Sequence, residues 1–565
     1  MPERPPARWW GWGTSSARYD PGRADRVIRH LRARLGPEGP AFADPVDPPR
    51  SDEVDPTRLG ATDLEALRSV VGAAGVSVDP VARVTHSFGR SLVDELALRT
   101  RSFRPLADGV VTPSSTPQVE GIVRVAGARD LALVPWGAGS SVVGGVRADA
   151  GSHRAVLALS LERLDRLVAL EPTDRLATFE AGILGPELES ALRDRGFTLG
   201  HFPQSFEHST LGGWVVTRAS GQASTRYGDA ADRVVGATLV TPRGVLRFRR
   251  PVHEASGPGA SGLLAGSEGV FGVLTEVTVR VEPAPDSTEF RAALLPDWDC
   301  ALATVRALAT AAVLPAVLRA SDGEETELTL AARPPASGPG GRVKHRLGDA
   351  WVRRRRVAGD GPTLLVVSYE GDAETVGRGL AHFRDVLRRA GGLSAGAAAG
   401  EEWRRDRFRL PYLRETLLSA GWLVETVETG TTWSGLAELR LALRTAVERA
   451  GESLGVRILV GCHVSHPEPS GASLYATVLL PSQGASSAGV WSEVKKRVTE
   501  SIVDAGGSVS HHHGVGVDHR PWVERGRSTV ELSLLERAKR ELDPDDLFNP
   551  GKTLGASARR GRSGA

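Results

Sequence analysis

Three glycine- and serine-rich stretches, each beside a short apolar run, constrain this chain more than any other feature. "PWGAGSSVVGG" (135–145) follows the strand-like "LALV". "FPQSFEHSTLGGWVVTRASGQASTRYGD" (202–229) is dense in small and hydroxylated residues, and "AGSEGVFGVLTEVTV" (265–279) leads into a strong strand. The first is not a dinucleotide fingerprint, because Val142 stands where G-x-G-x-x-G needs its third glycine, and no P-loop lysine follows. Taken alone it is either a tight turn or a phosphate cradle, in which glycines let backbone N–H groups approach an anion. Three such loops within roughly 150 residues, one domain's length, are hard to explain as turns. Backbone lying against a flat ligand accounts for all three, since the ligand fills the space of the missing side chains.

Short β-like runs between about 105 and 282 alternate with helical segments at 116–127 and 184–195, which makes this an α+β or α/β unit. A second α+β region follows "EPAPDS" and includes strands at 363–371 and 473–480 with helices at 373–390 and 433–451. The expected division is 1–100, an N-terminal helical and extended region; 101–284, the three-loop domain; 285–505, a cap; 506–556, a C-terminal segment; and 557–565, a disordered tail. With 565 residues, a net charge of +2 and 24% charged residues, the chain has no excess of cations suited to nucleic acid. Two cysteines exclude a disulfide framework and fit a reducing compartment. No run of about 18 uninterrupted apolar residues, the length that spans a bilayer, is present in the sequence. The reading is a cytoplasmic protein, at most peripheral to a membrane.

The trio "PWGAGSSV", "STLGGWVVTRASG" and "GSEGVFGVLTE", in this order and spacing, resembles the FAD-binding domain of the vanillyl-alcohol-oxidase/PCMH-type flavoproteins. Within that group "RASG", "SYEGDAETV" and "SHHHGVG" are similar to the alkylglycerone-phosphate synthase family, and the resemblance runs from "RWWGWG" to "LFNPGKTL". It implies a two-subdomain FAD-binding domain plus an α+β cap, with the histidine segment returning to the active site. Cofactor contacts carry over to Pro135, Trp136, Gly137, Ala138, Gly139, Ser140 and Ser141 in the first loop. They carry over to Gln204, Ser205, Ser209, Thr210, Gly213, Thr217, Arg218, Ala219 and Ser220 in the second, and to Glu268, Gly269, Val270, Gly272, Val273 and Leu274 in the third. No histidine or cysteine stands in the first loop, where some relatives attach flavin, so non-covalent FAD is expected.

The resemblance further implies that the acyl chain of acyl-dihydroxyacetone phosphate is exchanged for a fatty alcohol through an adduct at flavin N5, without net redox. The alternative is an FAD-linked oxidase or dehydrogenase of a 2-hydroxy acid, which shares the loops and the ending "NPGK"; a flavin-binding protein without catalysis is a third class. The implied catalytic tyrosine is Tyr475, a residue that by itself also suits a packed strand. The implied phosphate-binding arginines are Arg414 and Arg319, either of which also reads as an ordinary solvated side chain. Lys552 is placed within reach of the substrate. A homodimer is expected from the same resemblance.

"SVSHHHGVGVDHRPW" (508–522) leaves four readings of His511, His512 and His513: a metal site, a satisfied structural cluster, solvent-exposed loop histidines, or an active-site wall. No metal is expected, because consecutive histidines cannot all point one way. The resemblance favours the wall, and strand alternation favours His512 and His513 over His511. His463 and His466 in "GCHVSHPEPSG" depart from the family pattern. The basic stretch "RVKHRLGDAWVRRRR" (342–356) is either an amphipathic helix on an anionic bilayer or a solvated loop.

Overall fold

The computed structural model describes residues 8–14, 17–253, 255–334 and 361–554. The basic stretch 342–356 and the tail 557–565 lie outside them. Among the described residues no helix is long and apolar enough to cross a membrane.

Two sheets form the loop-bearing half. Strands Gly109–Val111, Ala155–Ser160 and Leu131–Trp136 run parallel, with Val76–Ser77 antiparallel at the edge. Their side chains are buried on both faces, as expected for strands covered on each side. The loop 137–141 leaves the C-terminal end of Leu131–Trp136, the end at which open parallel sheets bind ligands. The second sheet is antiparallel, ordered Leu167–Glu171, Leu176–Glu180, Val273–Arg280, Val234–Thr241, Gly244–Arg249.

The other half is a seven-stranded antiparallel sheet. Its order is Leu393–Ala395, Ser287–Leu295, Thr363–Gly371, Leu318–Ser321, Leu459–Ser465, Gly471–Pro481, Trp422–Thr432. The period-2 alternation of these strands separates its two faces. Leu474, Ala476 and Val478, with Leu365, Val367 and Tyr369, pack on helices Trp298–Ala309, Ala373–Arg389, Leu436–Leu454 and Ser487–Asp504. Helix Leu436–Leu454 presents Leu439, Leu443 and Val447 at helical spacing, and each such side chain contributes roughly 1.5–3 kcal/mol on full burial. The opposite face, carrying Tyr475, Thr477 and Leu479, turns toward the glycine loops.

The C-terminal segment packs back onto the loop-bearing half. Leu133 donates to Leu547 O (2.7 Å), and Asn549 N donates to Leu133 O (2.8 Å), so this segment extends the parallel sheet. Asn549 Nδ2 then donates to Gly145 O (3.2 Å) and Glu268 O (2.7 Å), joining the first and third loops.

Candidate active site

One cavity of about 470 Å³ runs from the glycine loops to the exposed face of the seven-stranded sheet. At the loop end it is lined by Pro135, Gly137, Ala138, Gly139, Ser140, Ser141, Gln204, Ser205, Thr210, Gly213, Thr217, Ala219, Ser220, Glu268, Gly269, Gly272 and Leu274. The wall is backbone because side chains have no room. A Cβ on Gly137 would lie 2.5 Å from Thr210 Oγ1, and one on Gly272, held at φ +149°, would lie 2.4 Å from Val240 O. The side-chain-free cradle, with Gln222 Oε1 buried and unpartnered on its wall, fits a flat polar cofactor such as FAD.

The remaining carried-over loop residues support the wall from behind. Trp136 lies under Gly139 and 4.2 Å from the His86 ring. Ser209 Oγ accepts from Trp214 Nε1 at 2.7 Å, and Arg218 caps helix Leu211–Thr217 in the left-handed conformation. Val270 and Val273 belong to the hydrophobic core. Lys552 is also outside the cavity lining: it is 1% exposed and donates to Arg147 O and Asn549 Oδ1, so it latches the C-terminal segment rather than reaching into the cavity.

At the sheet end, register places Glu428, Tyr475 and His463 side by side on neighbouring strands, with Ser321 next in the row. Directly opposed residues share a face, so these side chains converge. The His463 ring stacks on Tyr475 at 4.6 Å and 24°. The His512 ring is near-parallel to Tyr475 at 5.9 Å, and His513 meets it edge-on at 5.4 Å. Burial pushes the Tyr475 phenol above its ordinary value, opposed by Thr426 and Arg319. It also pushes His512 down to about 3 and lowers His513, His463 and His466, so these rings are neutral at neutral pH.

The histidine segment is a tight turn, not a strand, which corrects the alternation argument. Buried Glu428 organises it: Oε1 accepts from Ser510 Oγ (2.6 Å), His512 N (3.1 Å) and His513 N (2.8 Å), while Oε2 accepts from His511 N (2.7 Å). Burial works against ionisation of Glu428, but the His512, His513 and His511 rings and the Ser510 hydroxyl outweigh it and hold the carboxyl well below the usual range. Glu268 grips the next residues, accepting from Val515 N (2.6 Å) and Gly516 N (2.9 Å). Two carboxylates, one from each half, thus fix the turn. His512 and His513 line the cavity, whereas His511 faces His466 and is not in the lining. Glu428, His511 and His512 bring ligand atoms within 4.8 Å of one another, but four donors already occupy the Glu428 oxygens, which makes a poor metal site.

Both arginines line the cavity, and neither is a solvated arm. Arg414 is 9% exposed, donates to Arg90 O at 2.8 Å, and faces Glu425 at 3.2 Å and Glu95 at 3.7 Å. Arg319 pairs with Glu325 and approaches His463 Nδ1 at 3.1 Å. Sequence reasoning missed Glu428, Glu325 and Glu425, since a lone glutamate in a strand or helix carries no signal until a partner is known. His463 was noted in the sequence only as a departure from the family pattern, and only the register between its strand and that of Tyr475 brings the two together. Beyond Tyr475 the cavity continues as an apolar arm past Val27, Leu328, Ala332, Leu417, Val424 and Leu479.

A backbone cradle facing a tyrosine–histidine row is an arrangement that suits a flavin-dependent enzyme. Residues 107–248 match the FAD binding domain family, and 284–553 match the C-terminal domain of FAD linked oxidases. The chain is 31% identical over 481 residues to the alkyldihydroxyacetonephosphate synthase of Dictyostelium discoideum, covering 84% of this chain and 78% of the relative. A solved alkyldihydroxyacetonephosphate synthase superposes with a TM-score of 0.79 at 27% identity, covering 96% of this chain and 98% of that one. An uncharacterized FAD-linked oxidoreductase of Escherichia coli (strain K12) is 26% identical over 501 residues, covering 87% of this chain and 98% of the relative. The chain belongs to the alkyldihydroxyacetonephosphate synthase family, and its cofactor is FAD.

Proposed function

We propose that the chain exchanges the acyl group of an acyl-dihydroxyacetone phosphate for a fatty alcohol, with FAD held non-covalently. The observation that carries this reading is the continuity of one cavity, lined by the glycine cradle, by Tyr475 and by apolar side chains from three helices and the sheet. A small hydroxy acid has no use for that apolar lining; an acyl or alkyl chain does.

When bound, FAD supplies an electrophilic centre for a substrate carbon. The residues of the chain hold and shuttle. Backbone at Gly137–Ser141 and Glu268–Gly269 receives the cofactor, and the Glu268 carboxylate, turned to Val515 and Gly516, brings the histidine turn against it. Tyr475 moves the proton at the reacting carbon. Its buried phenol resists ionisation, so it acts as a protonated hydroxyl that gives and takes back a proton at that carbon, while the neutral His512 and His513 rings stand beside it and shape the site. Arg414 and Arg319 present guanidinium groups toward the phosphate while their carboxylate partners keep them in place. The apolar arm excludes water from chain and reacting carbon alike.

Anaerobic flavin absorbance tests this. Palmitoyl-dihydroxyacetone phosphate should bleach the flavin, and fatty alcohol should restore it with release of fatty acid. Bleaching by D-lactate or glycolate alone, reversed by an electron acceptor, would instead establish a hydroxy-acid oxidoreductase.

A further inference from the structure

His463 stands apart from the residues used so far. It faces the same cavity from the strand beside Tyr475, 6% exposed, with its ring stacked on the phenol. Its own ring is fixed from behind: Nδ1 lies 2.9 Å from Glu325 Oε2 and 3.1 Å from Arg319 Nη2. Glu325 in turn sits in the first turn of helix Gly323–Ala332, where the N-terminal dipole favours a carboxylate. Its backbone is pressed against Gly461, so closely that a Cβ there would meet Glu325 N at 3.0 Å. A helix terminus, a carboxylate and an imidazole therefore form a rigid stack ending on the phenol. On the other side of Tyr475 stand the turn anchored by Glu428, on the opposite neighbouring strand, and Thr426, whose side chain hydrogen-bonds the phenol.

We propose that His463, locked by Glu325, is a positioning residue that fixes the plane of the Tyr475 phenol, so that its hydroxyl meets the reacting carbon rather than sampling other rotamers. The inference rests on the reading of Tyr475 as the proton-moving group. An aromatic face is what the stack requires; the hydrogen bond to Glu325 serves to aim that face.

The test uses the flavin-loaded full chain carrying 3-fluorotyrosine. Five tyrosines give five fluorine signals, and Tyr475→Phe assigns the one of interest. In His463→Ala the Tyr475 signal should broaden or double while the other four stay single, and kcat for acyl exchange should fall at least ~10-fold with KM within about twofold. His463→Phe should restore a single line and bring kcat within roughly threefold of the parent chain, and Glu325→Gln should fall between. A sharp, single Tyr475 line in His463→Ala would overturn the proposal, as would a His463→Phe as impaired as His463→Ala. Because the fluorine spectrum needs no turnover, absence of acyl exchange in the parent chain would refute the proposed reaction while the spectrum still decides the role of His463.

Discussion

Replacing Glu428 with Gln removes a charge and one acceptor from a group that holds four hydrogen bonds to the histidine turn. With the Gln carbonyl in the place of Oε1, the bonds from Ser510, His512 and His513 survive but lose charge assistance, at about 1 kcal/mol each. The amide nitrogen then replaces Oε2 and confronts the N–H of His511, donor against donor, which costs about 1–3 kcal/mol. The turn is disfavoured by about 4–6 kcal/mol in all, and every 1.4 kcal/mol is a factor of ten in its occupancy, less whatever water recovers. The turn is a surface-connected segment that can detach without unfolding either sheet, so the loss falls on the site. We expect Glu428→Gln to lower kcat/KM at least ~100-fold, with Tm down only a few degrees and faster amide exchange confined to 511–516. A variant within about threefold of the parent chain, with exchange at 511–513 unchanged, would refute the claim that this carboxylate organises the site.

Gly272→Ala forces a Cβ to within 2.4 Å of Val240 O at φ +149°, so strain of at least ~1–3 kcal/mol should appear as lower flavin content and lower Tm. Full flavin loading would mean the third loop yields more easily than its packing implies. Arg414→Ala leaves Glu425 and Glu95 buried without their cation and should reduce unfolding stability by about 3–5 kcal/mol in denaturant titration, beyond any effect on turnover. An unchanged midpoint would show that other groups satisfy the pair. Acidification should weaken the cap: burial would raise the Glu325 carboxyl, but His463 and Arg319 outweigh it and hold it at about 2, and Glu428 is held low as well. A depressed carboxylate stabilises the fold above its unfolded value near ~4.3 and loses that contribution as pH falls toward its folded value. Stability should therefore begin to decline below about pH 6.5, where the unfolded chain protonates imidazoles that are buried neutral in the fold, and fall further below about pH 4.3, less steeply there in Glu325→Gln.

The cofactor half was legible in the sequence for a local reason. Loops such as 137–141 are built from residues contiguous in the chain, and small side chains announce that something else must fill the space. Strands and helices followed from period, as with Gly471–Pro481 and Ala373–Arg389. What surrounds Tyr475 was not legible, because it depends on register. Only the pairing of three strands puts Glu428 and His463 on either side of the phenol, and a one-residue slip would have turned both away. The same holds for the arginines: the sequence supplied two cations, and the fold decided that each would arrive already paired. Lys552 shows the converse, a residue placed near the substrate by a motif and sequestered by burial behind the first loop. Composition and local spacing thus determined the class of ligand this chain receives. The orientation of its reactive groups rests on hydrogen bonds and stacking between residues tens to hundreds of positions apart, which no local pattern encodes.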